Sequence, residues 1–156
     1  MGVCGSGKST VGQALARKIG ADFAEGDRWH PPENIAKMTK GVPLEDADRW
    51  PWLDALARAI EGWVAARQRT VLTCSALRES YREVLTQGRA GVSLVYLKGD
   101  QQLIAERLAR RRDHFMPAAL LPSQFAQLEE PAGVPAIDIA PPPDAVAETI
   151  KKTLGL

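Results

Sequence analysis

The first ten residues of the chain carry the feature that most constrains its fold. Their sequence, MGVCGSGKST, fits the P-loop pattern of a glycine, four residues and then Gly-Lys-Ser/Thr. The glycines at positions 2, 5 and 7 let backbone N–H groups approach a phosphate without a Cβ in the way. Lys8 is expected to reach the β- and γ-phosphates, and the Ser9 hydroxyl to contact Mg²⁺. The pattern therefore predicts a phosphate-binding loop that includes Gly2, Gly5, Gly7, Lys8 and Ser9.

A P-loop is normally preceded by a strand and followed by a helix. The helix is predicted by apolar residues at helical spacing, from Val11 to Ile19, with Gly20 as its C-terminal cap. Only Met1 precedes Gly2, so the sequence shows no strand ahead of the loop. We therefore expect the first strand to be missing or truncated, with Met1 as its end.

Composition and charge restrict the class of protein. The chain has 156 residues, the size of one domain, with 20 basic and 19 acidic residues and a formal net charge of +1. This balance disfavours a nucleic-acid partner or a membrane surface. Cys4 and Cys74 make neither a disulfide framework nor a metal-ligand set. With no signal peptide and no bilayer-spanning apolar run, a cytoplasmic location is expected.

Short apolar runs alternate with helical patterns, which predicts an α/β domain with a parallel sheet over residues 1–156. After the first helix, strands are expected at 22–25, 69–76, 92–98 and 136–139. Helices are expected after Pro31, from Pro51 to about Gln68, and over 77–86. Two more are expected, one capped by Asp100 and one over 145–154.

Several absent motifs narrow the P-loop classes. The chain has no guanine-specific Asn/Thr-Lys-x-Asp motif, no Asp-x-x-Gly switch and no Walker-B acid closing an apolar strand. It is also too short for a large ATPase. A small-molecule phosphotransferase remains, and this class needs a second substrate pocket and a mobile lid.

One candidate acceptor pocket follows the second strand. Asp27 could accept the proton of a substrate hydroxyl or hold Mg²⁺ through water, and the alternative is a turn or capping role. His30 and Lys37 could bind a polyhydroxylated or anionic substrate, or lie solvated at the surface.

Further candidates follow in two later segments. Arg49 suits a substrate carboxylate because its planar fork pairs with both oxygens. Trp50 and Trp52 could line a pocket, although core packing is favoured for Trp52. Ser75 and Arg78 come just past the central strand, and Arg78 could contact substrate or pair with an adjacent glutamate.

The segment ERLARRRDHF is a candidate lid. Arg107 and Arg111 are one helical turn apart and could stack on adenine and neutralise the transferred phosphoryl group. The alternative is a solvated cationic helix end, favourable with the helix dipole.

Taken together, these stretches resemble the gluconokinases over essentially the whole chain. The match comprises GVCGSGKST, GDRWHPPENIAKMTKGVPLEDADRWPWL, CSALRESYR, VYLKGD, RLARRRDHFM and QFAQLEEP. The second stretch is the most specific part. The resemblance implies a P-loop NTPase-type three-layer sandwich, similar in fold to shikimate and nucleoside monophosphate kinases. Five parallel strands, in the order 2-3-1-4-5, would have helices on both faces.

The resemblance also implies an activity and residue roles. The activity is ATP-dependent, Mg²⁺-requiring phosphorylation of D-gluconate to 6-phosphogluconate by a homodimer with a closing lid. ATP phosphates would contact Gly5 to Thr10, which adds Ser6 and Thr10 to the loop residues. Asp27, Arg49 and Arg78 become expected substrate contacts, and Arg107 and Arg111 expected lid residues. Residues that match the pattern with less defined roles are His30, Lys37, His114, Gln124 and Glu129.

Two alternatives remain open at this point. One is a kinase for another small hydroxy acid such as shikimate, since Arg49 and Asp27 would suit either substrate. The other is a regulatory module that binds ATP without turnover, suggested by the absent first strand and Walker-B acid.

Overall fold

The structure, a computed structural model, describes residues 1–86, 88–110 and 120–156. These residues form strands β1 (Asp22–Glu25), β2 (Thr70–Thr73), β3 (Tyr96–Lys98) and β4 (Ala136–Asp138). The helices of the described residues are α1 (Lys8–Ile19), α2 (Pro32–Thr39), α3 (Asp46–Ala65), α4 (Glu79–Thr86), α5 (Gln101–Ala109), α6 (Leu121–Gln127) and α7 (Pro143–Leu154). A 3-10 turn (Gly26–Trp29) joins β1 to the segment before α2.

Helix α1 follows the P-loop directly, as the sequence predicts. Its apolar face, which includes Val11, Ala14 and Leu15, is buried. It ends at Gly20, whose backbone has φ 63° and whose N–H donates to the carbonyl of Ala16. The helix packs against α7 on one side and β2 on the other. This packing fixes the start of the helix, and with it the loop, at the edge of the sheet.

The strands pair in parallel, which confirms the α/β class. In one pair β1 lies beside β2, with Phe23 opposite Val71, and in the other β3 lies beside β4, with Leu97 opposite Ile137. The expected five-stranded sheet is not continuous, because the described strands form these two pairs.

Met1 and Gly2 lie between the two pairs. The Met1 ammonium donates to the carbonyl of Val95 at 2.6 Å, and the N–H of Leu97 donates to the Met1 carbonyl at 2.9 Å. Bonds to the residues on either side of Tyr96 are the pattern of a parallel strand. On the other side, the Gly2 N–H donates to the Ser75 carbonyl at 3.2 Å. These two residues therefore occupy the end of the central position in the expected strand order.

A cleft of about 520 Å³ extends from Met1 between the two strand pairs. Apolar side chains of both pairs and of α1 line much of it, including Val11, Leu15, Val71, Leu72, Val95 and Leu97. Burial lowers the pKa of the Met1 ammonium to about 5, because the charged form loses its water. The cleft therefore separates β2 from β3, the two strands beside which Gly2 and Met1 are bound.

The largest errors in the predicted boundaries concern α3 and β3. Helix α3 begins at Asp46 rather than Pro51, because Glu45 and Asp48 form a capping box that starts the helix earlier and leaves Pro51 inside it. Strand β3 begins at Tyr96 rather than Val92. Helix α6 was not predicted at all, and Asp100 caps α5 as expected, its carboxylate accepting from the N–H of Leu103.

The buried apolar residues form two clusters. One joins α1, α5 and α7 to β3 and β4, with Leu15, Ile104, Leu108 and Val146 among its members. The other joins α3 and α4, with Trp52, Leu53, Leu56 and Tyr81 fully buried.

We propose that four to six apolar, β-branched residues joined directly to Met1 would pair with β2 and β3 and fill the cleft. Such a segment would add backbone hydrogen bonds on two sides and replace the buried ammonium by a peptide group. We expect it to raise the thermal unfolding temperature, by about 2–4 °C for each kcal/mol gained. A serine- and glycine-rich extension of equal length is the control. Equal melting temperatures for the two extended chains would contradict the proposal.

Candidate active site

The turn after β1 places an acidic residue at the carboxyl end of the sheet. A Cβ at Gly26 would lie 2.3 Å from the Thr73 carbonyl oxygen, so only glycine lets this turn approach β2 so closely. The Trp52 indole Nε1 donates to the Gly26 carbonyl at 2.9 Å. Asp27 follows directly, at the edge where parallel sheets bind ligands. Sequence and packing therefore agree on the position of Asp27.

The P-loop is held by three different elements. Gly5 has φ 77°, and a Cβ there would lie 2.7 Å from Leu108 of α5, so the loop rests on that helix. The Cys4 N–H donates to the Gln124 Oε1 of α6 at 2.6 Å. Lys8 leads into α1, and its Nζ donates to the Val3 carbonyl at 2.9 Å. The lysine is thus curled over its own loop, at the positive end of a helix.

A small cavity of about 50 Å³ joins the P-loop to the predicted acceptor residues. Its lining includes eight of the predicted site residues: Gly5, Gly7, Lys8, Ser9, Asp27, His30, Arg49 and Ser75. These residues come from four separate segments of the sequence. The structure therefore brings a phosphate loop, a carboxylate, an imidazole and a guanidinium to one place.

Arg49 is a buried cation with unused hydrogen-bonding capacity. Its side chain is 6% exposed, and Nη2 donates to the neutral Gln127 Oε1 at 3.0 Å. Its Nε is buried with no hydrogen-bond partner among the described residues. Burial lowers the pKa of Arg49, because the charged form is desolvated. In the described part of the chain no carboxylate forms a salt bridge with it.

His30 is a buried, neutral imidazole. Its ring stacks on Trp52 with centroids 4.1 Å apart and planes 16° apart. Its Nδ1 lies 3.2 Å from the Nδ2 of Asn34. Burial, with a smaller contribution from the charge of Arg49, lowers the pKa of His30 to about 4. At pH 7 the ring is therefore uncharged.

Three predicted basic residues do not line this cavity and have other partners. Lys37 donates to Asp48 Oδ1 at 2.6 Å. Arg78 donates to both oxygens of Asp46, at 2.9 and 2.7 Å, rather than to an adjacent glutamate. Arg107 Nη2 donates to the Ile139 carbonyl at 2.7 Å.

The other predicted residues have varied positions. Ser6 is fully buried, and its Oγ has no hydrogen-bond partner among the described residues. Thr10 is exposed. The Trp50 ring is partly exposed and meets Tyr81 edge-on, whereas Trp52 is core as expected. Arg111 and His114 lie outside the described residues.

Sequence reasoning gave no role to Gln124 and missed Gln127 and Asn34, polar residues that hold the site together. Gln124 and Gln127 of α6 accept from the P-loop and from Arg49, but α6 itself was not predicted. Asn34, in the first turn of α2, holds His30, which precedes that helix, so no helical spacing indicates the contact. Glu129, which had no assigned role, accepts from the N–H of Glu79 at the start of α4.

The chain and its fold are similar to those of known kinases. The shikimate kinase family matches residues 4–131. The gluconokinase of Gluconobacter oxydans 621H is 50% identical over 131 residues, covering 84% of this chain and 74% of that protein. The chain belongs to the gluconokinases. A solved gluconokinase from Sinorhizobium meliloti 1021 is 43% identical with TM-score 0.83, covering 99% and 93% of the two chains.

A solved sugar kinase from Janibacter sp. HTCC2649 is 44% identical with TM-score 0.92 and covers 99% of this chain and 91% of its own. These relatives confirm the P-loop kinase fold and the prediction of an ATP-using kinase of the gluconokinase family. They do not favour a shikimate-specific enzyme or a module without turnover.

In the part of the chain that the structure describes, no helix has the length and apolar character needed to cross a bilayer.

The two glutamines of α6 give a matched pair of tests. Gln124→Ala removes the acceptor for the Cys4 N–H in the P-loop, and should raise the KM for ATP about fivefold or more, because a buried N–H is left unpaired. Gln127→Ala removes the partner of Arg49 and should change the KM for the acceptor substrate instead. Steady-state kinetics with each substrate varied in turn measures both values. Equal effects of both variants on both KM values would contradict the assignment of Gln124 to the ATP site and of Gln127 to the acceptor site.

Proposed function

We propose that this kinase transfers the γ-phosphoryl group of ATP to the 6-hydroxyl of D-gluconate, giving 6-phospho-D-gluconate and ADP. The observation that carries the proposal is the buried Arg49 beside the P-loop cavity. The gluconokinase relatives support the same substrate.

The surroundings of Arg49 favour a phosphoryl-accepting substrate that carries a carboxylate. A buried charge without a counter-ion is costly, and the described partner of this guanidinium is the neutral Gln127. The nearby Asp46 is engaged by Arg78 and by the hydroxyl of Tyr81. A ligand carboxylate would supply the missing negative charge and an acceptor for the open Nε. Gluconate provides such a group at one end and the reacting hydroxyl at the other.

Asp27 is the proposed acceptor of the hydroxyl proton. In the proposed step the 6-oxygen of gluconate bonds to the γ-phosphorus, the bond from that phosphorus to the β,γ-bridging oxygen breaks, and ADP leaves with those electrons. The hydroxyl proton passes to the Asp27 carboxylate. Backbone N–H groups of the P-loop and Lys8 would hold the ATP phosphates, with Ser6, Ser9 and Thr10 beside them. Ser75, which also lines the cavity, is a further proposed substrate contact.

The residues present fit a Mg²⁺ ion bound mainly by substrate. Among the described residues no group of three or more His, Cys, Asp and Glu side chains could hold a metal. Mg²⁺ is commonly bound by one or two protein groups together with phosphate oxygens and waters. Ser9, through its hydroxyl, and Asp27, through water, would hold the ion. It would supply positive charge to the phosphates during transfer.

The remaining predicted contacts are proposed from the resemblance to the gluconokinases. Arg107 lies on α5, whose Leu108 packs against the P-loop at Gly5, and we propose that it acts at the nucleotide together with Arg111. Its guanidinium would have to leave the Ile139 carbonyl to do so. Lys37 and Arg78 would have to exchange a carboxylate partner for substrate. From the resemblance we also propose that the protein is a homodimer and lies in the cytoplasm. Light scattering of the purified chain would test the dimer.

Coupled measurement of ADP release tests the function. With ATP and Mg²⁺, we expect release to depend on D-gluconate and to be absent with shikimate or nucleoside monophosphates. Asp27→Asn should reduce kcat by about 100-fold or more, because general base catalysis contributes about 10²–10⁴. ATP binding that persists without any gluconate-dependent release would contradict the proposal.

A second pair of variants tests the role of Arg49. Arg49→Gln should raise the KM for gluconate by about 10–100-fold, as expected for a lost charged hydrogen bond, with little change in the KM for ATP. Arg58→Gln, on the exposed face of the same helix, is the matched control and should change neither value. If the two variants behave alike, Arg49 does not bind the acceptor.

A further inference from the structure

We propose that His30 is a neutral hydrogen-bond donor, through Nε2–H, to an oxygen of the sugar-acid substrate, and that Asn34 is the positioning residue that fixes this tautomer. The inference rests on the proposed function only for the identity of the ligand. The tautomer follows from the contacts of the two side chains.

The orientation of the Asn34 amide is fixed by a backbone carbonyl. Its Nδ2 lies 2.7 Å from the Asp48 carbonyl oxygen. A carbonyl only accepts hydrogen bonds, so the nitrogen of the amide, and not its oxygen, must be the atom on that side. Asn34 is 3% exposed, so water cannot readily replace this partner.

The Asp48 carbonyl is itself held in place. Asp48 lies in the first turn of α3, where one carboxylate oxygen accepts from the Glu45 N–H at 2.9 Å. The other accepts from Lys37 Nζ at 2.6 Å. Lys37 thereby ties α2 to α3 close to the site, and the acceptor that orients Asn34 has little freedom to move.

The same Asn34 nitrogen determines where the His30 proton lies. Nδ2 carries two hydrogens, and with one on Asp48 the other points to His30 Nδ1 at 3.2 Å. Nδ1 must then accept, because a proton on it would face another donor. A neutral imidazole with a bare Nδ1 carries its proton on Nε2. The nearby Arg49 cation also disfavours the doubly protonated ring.

The remaining nitrogen is available to a ligand. His30 lines the cavity that also contains Asp27 and Arg49, and the stack on Trp52 fixes the plane of its ring. With Nδ1 directed to Asn34, Nε2 is the nitrogen on the opposite edge of the ring. The neutral His30 Nε2–H lies in the same cavity as the charged guanidinium of Arg49. The site thus offers one neutral and one charged hydrogen-bond donor to a polyhydroxylated acid. Hydroxyl and carboxylate oxygens can both accept such a bond.

The tautomer can be measured directly on the full chain. In ¹⁵N-histidine-labelled protein, the long-range ¹H–¹⁵N correlation pattern shows which ring nitrogen is protonated, and His114→Gln identifies the His30 signals, since the chain has two histidines. We expect a neutral ring with the proton on Nε2 at pH 7. A proton on Nδ1, or a doubly protonated ring, would overturn the inference. This readout does not depend on catalysis, so it stands or falls separately from the gluconate assay.

Isosteric substitutions test the donor. A glutamine side chain can place an N–H near the position of histidine Nε2, whereas asparagine places one near Nδ1. His30→Gln should therefore keep the KM for gluconate within about threefold, and His30→Asn should raise it about tenfold, the cost of one lost hydrogen bond. Equal losses in both variants, with the ATP KM unchanged, would overturn the donor role.

A double-mutant cycle tests whether Asn34 acts through His30. Asn34→Asp presents an acceptor to Nδ1, so it should move the proton from Nε2 to Nδ1 and, by removing the Nε2–H donor, raise the KM for gluconate. In the His30→Gln background the same change should have little further effect on that KM. An undiminished effect in that background would show that Asn34 does not act through His30. If Asn34→Asp does not fold, the tautomer of the unaltered protein still decides the assignment.

Discussion

The buried indole of Trp52 connects the core of the domain to its active site. Its side chain is fully buried among residues of α3 and α4, yet its Nε1 donates to Gly26 and its ring stacks on His30. The first contact holds the turn that carries Asp27, and the second fixes the plane of an imidazole in the cavity. Because one rigid side chain makes both contacts, the packing of α3 and the geometry of the acceptor residues cannot vary independently.

The charges around the cavity suit two anionic substrates. Arg49 is buried beside neutral partners, the amide of Gln127 and the ring of Tyr81, whose centroid lies 5.7 Å from the guanidinium carbon. His30 stays uncharged next to it, so the site avoids placing a second cation against the first. Lys8 and the start of α1 supply positive potential on the phosphate side. The carboxylate of Asp46, which would otherwise neutralise Arg49, is engaged by Arg78.

Local patterns predicted much of this structure, and contacts between distant segments account for what they missed. The P-loop, α1 and the alternation of strands and helices could be read from the sequence because each depends on neighbouring residues. Asp27 and Ser75 could be placed together because parallel strands end at a common edge. The partners of Lys37 and Arg78 could not be predicted. These partners, Asp48 and Asp46, lie in the first turn of α3, and that turn depends on a capping box. The contact between Arg49 and Gln127 spans 78 positions, and no local signal indicates it.

The position of Met1 links the stability of the sheet to the geometry of the site. Its backbone is bound to Val95 and Leu97 on one strand pair, and the next residue, Gly2, is bound to Ser75 beside the other. The P-loop therefore begins at the seam between the two pairs, and Ser75, which lines the cavity, is one of its attachments. Any opening of the cleft would separate the phosphate loop from the carboxyl ends of β1 and β2. Pairing within the sheet thus helps to set the distance between the P-loop and the residues after β1 and β2, and Lys8, which lines both the cleft and the small cavity, connects the two.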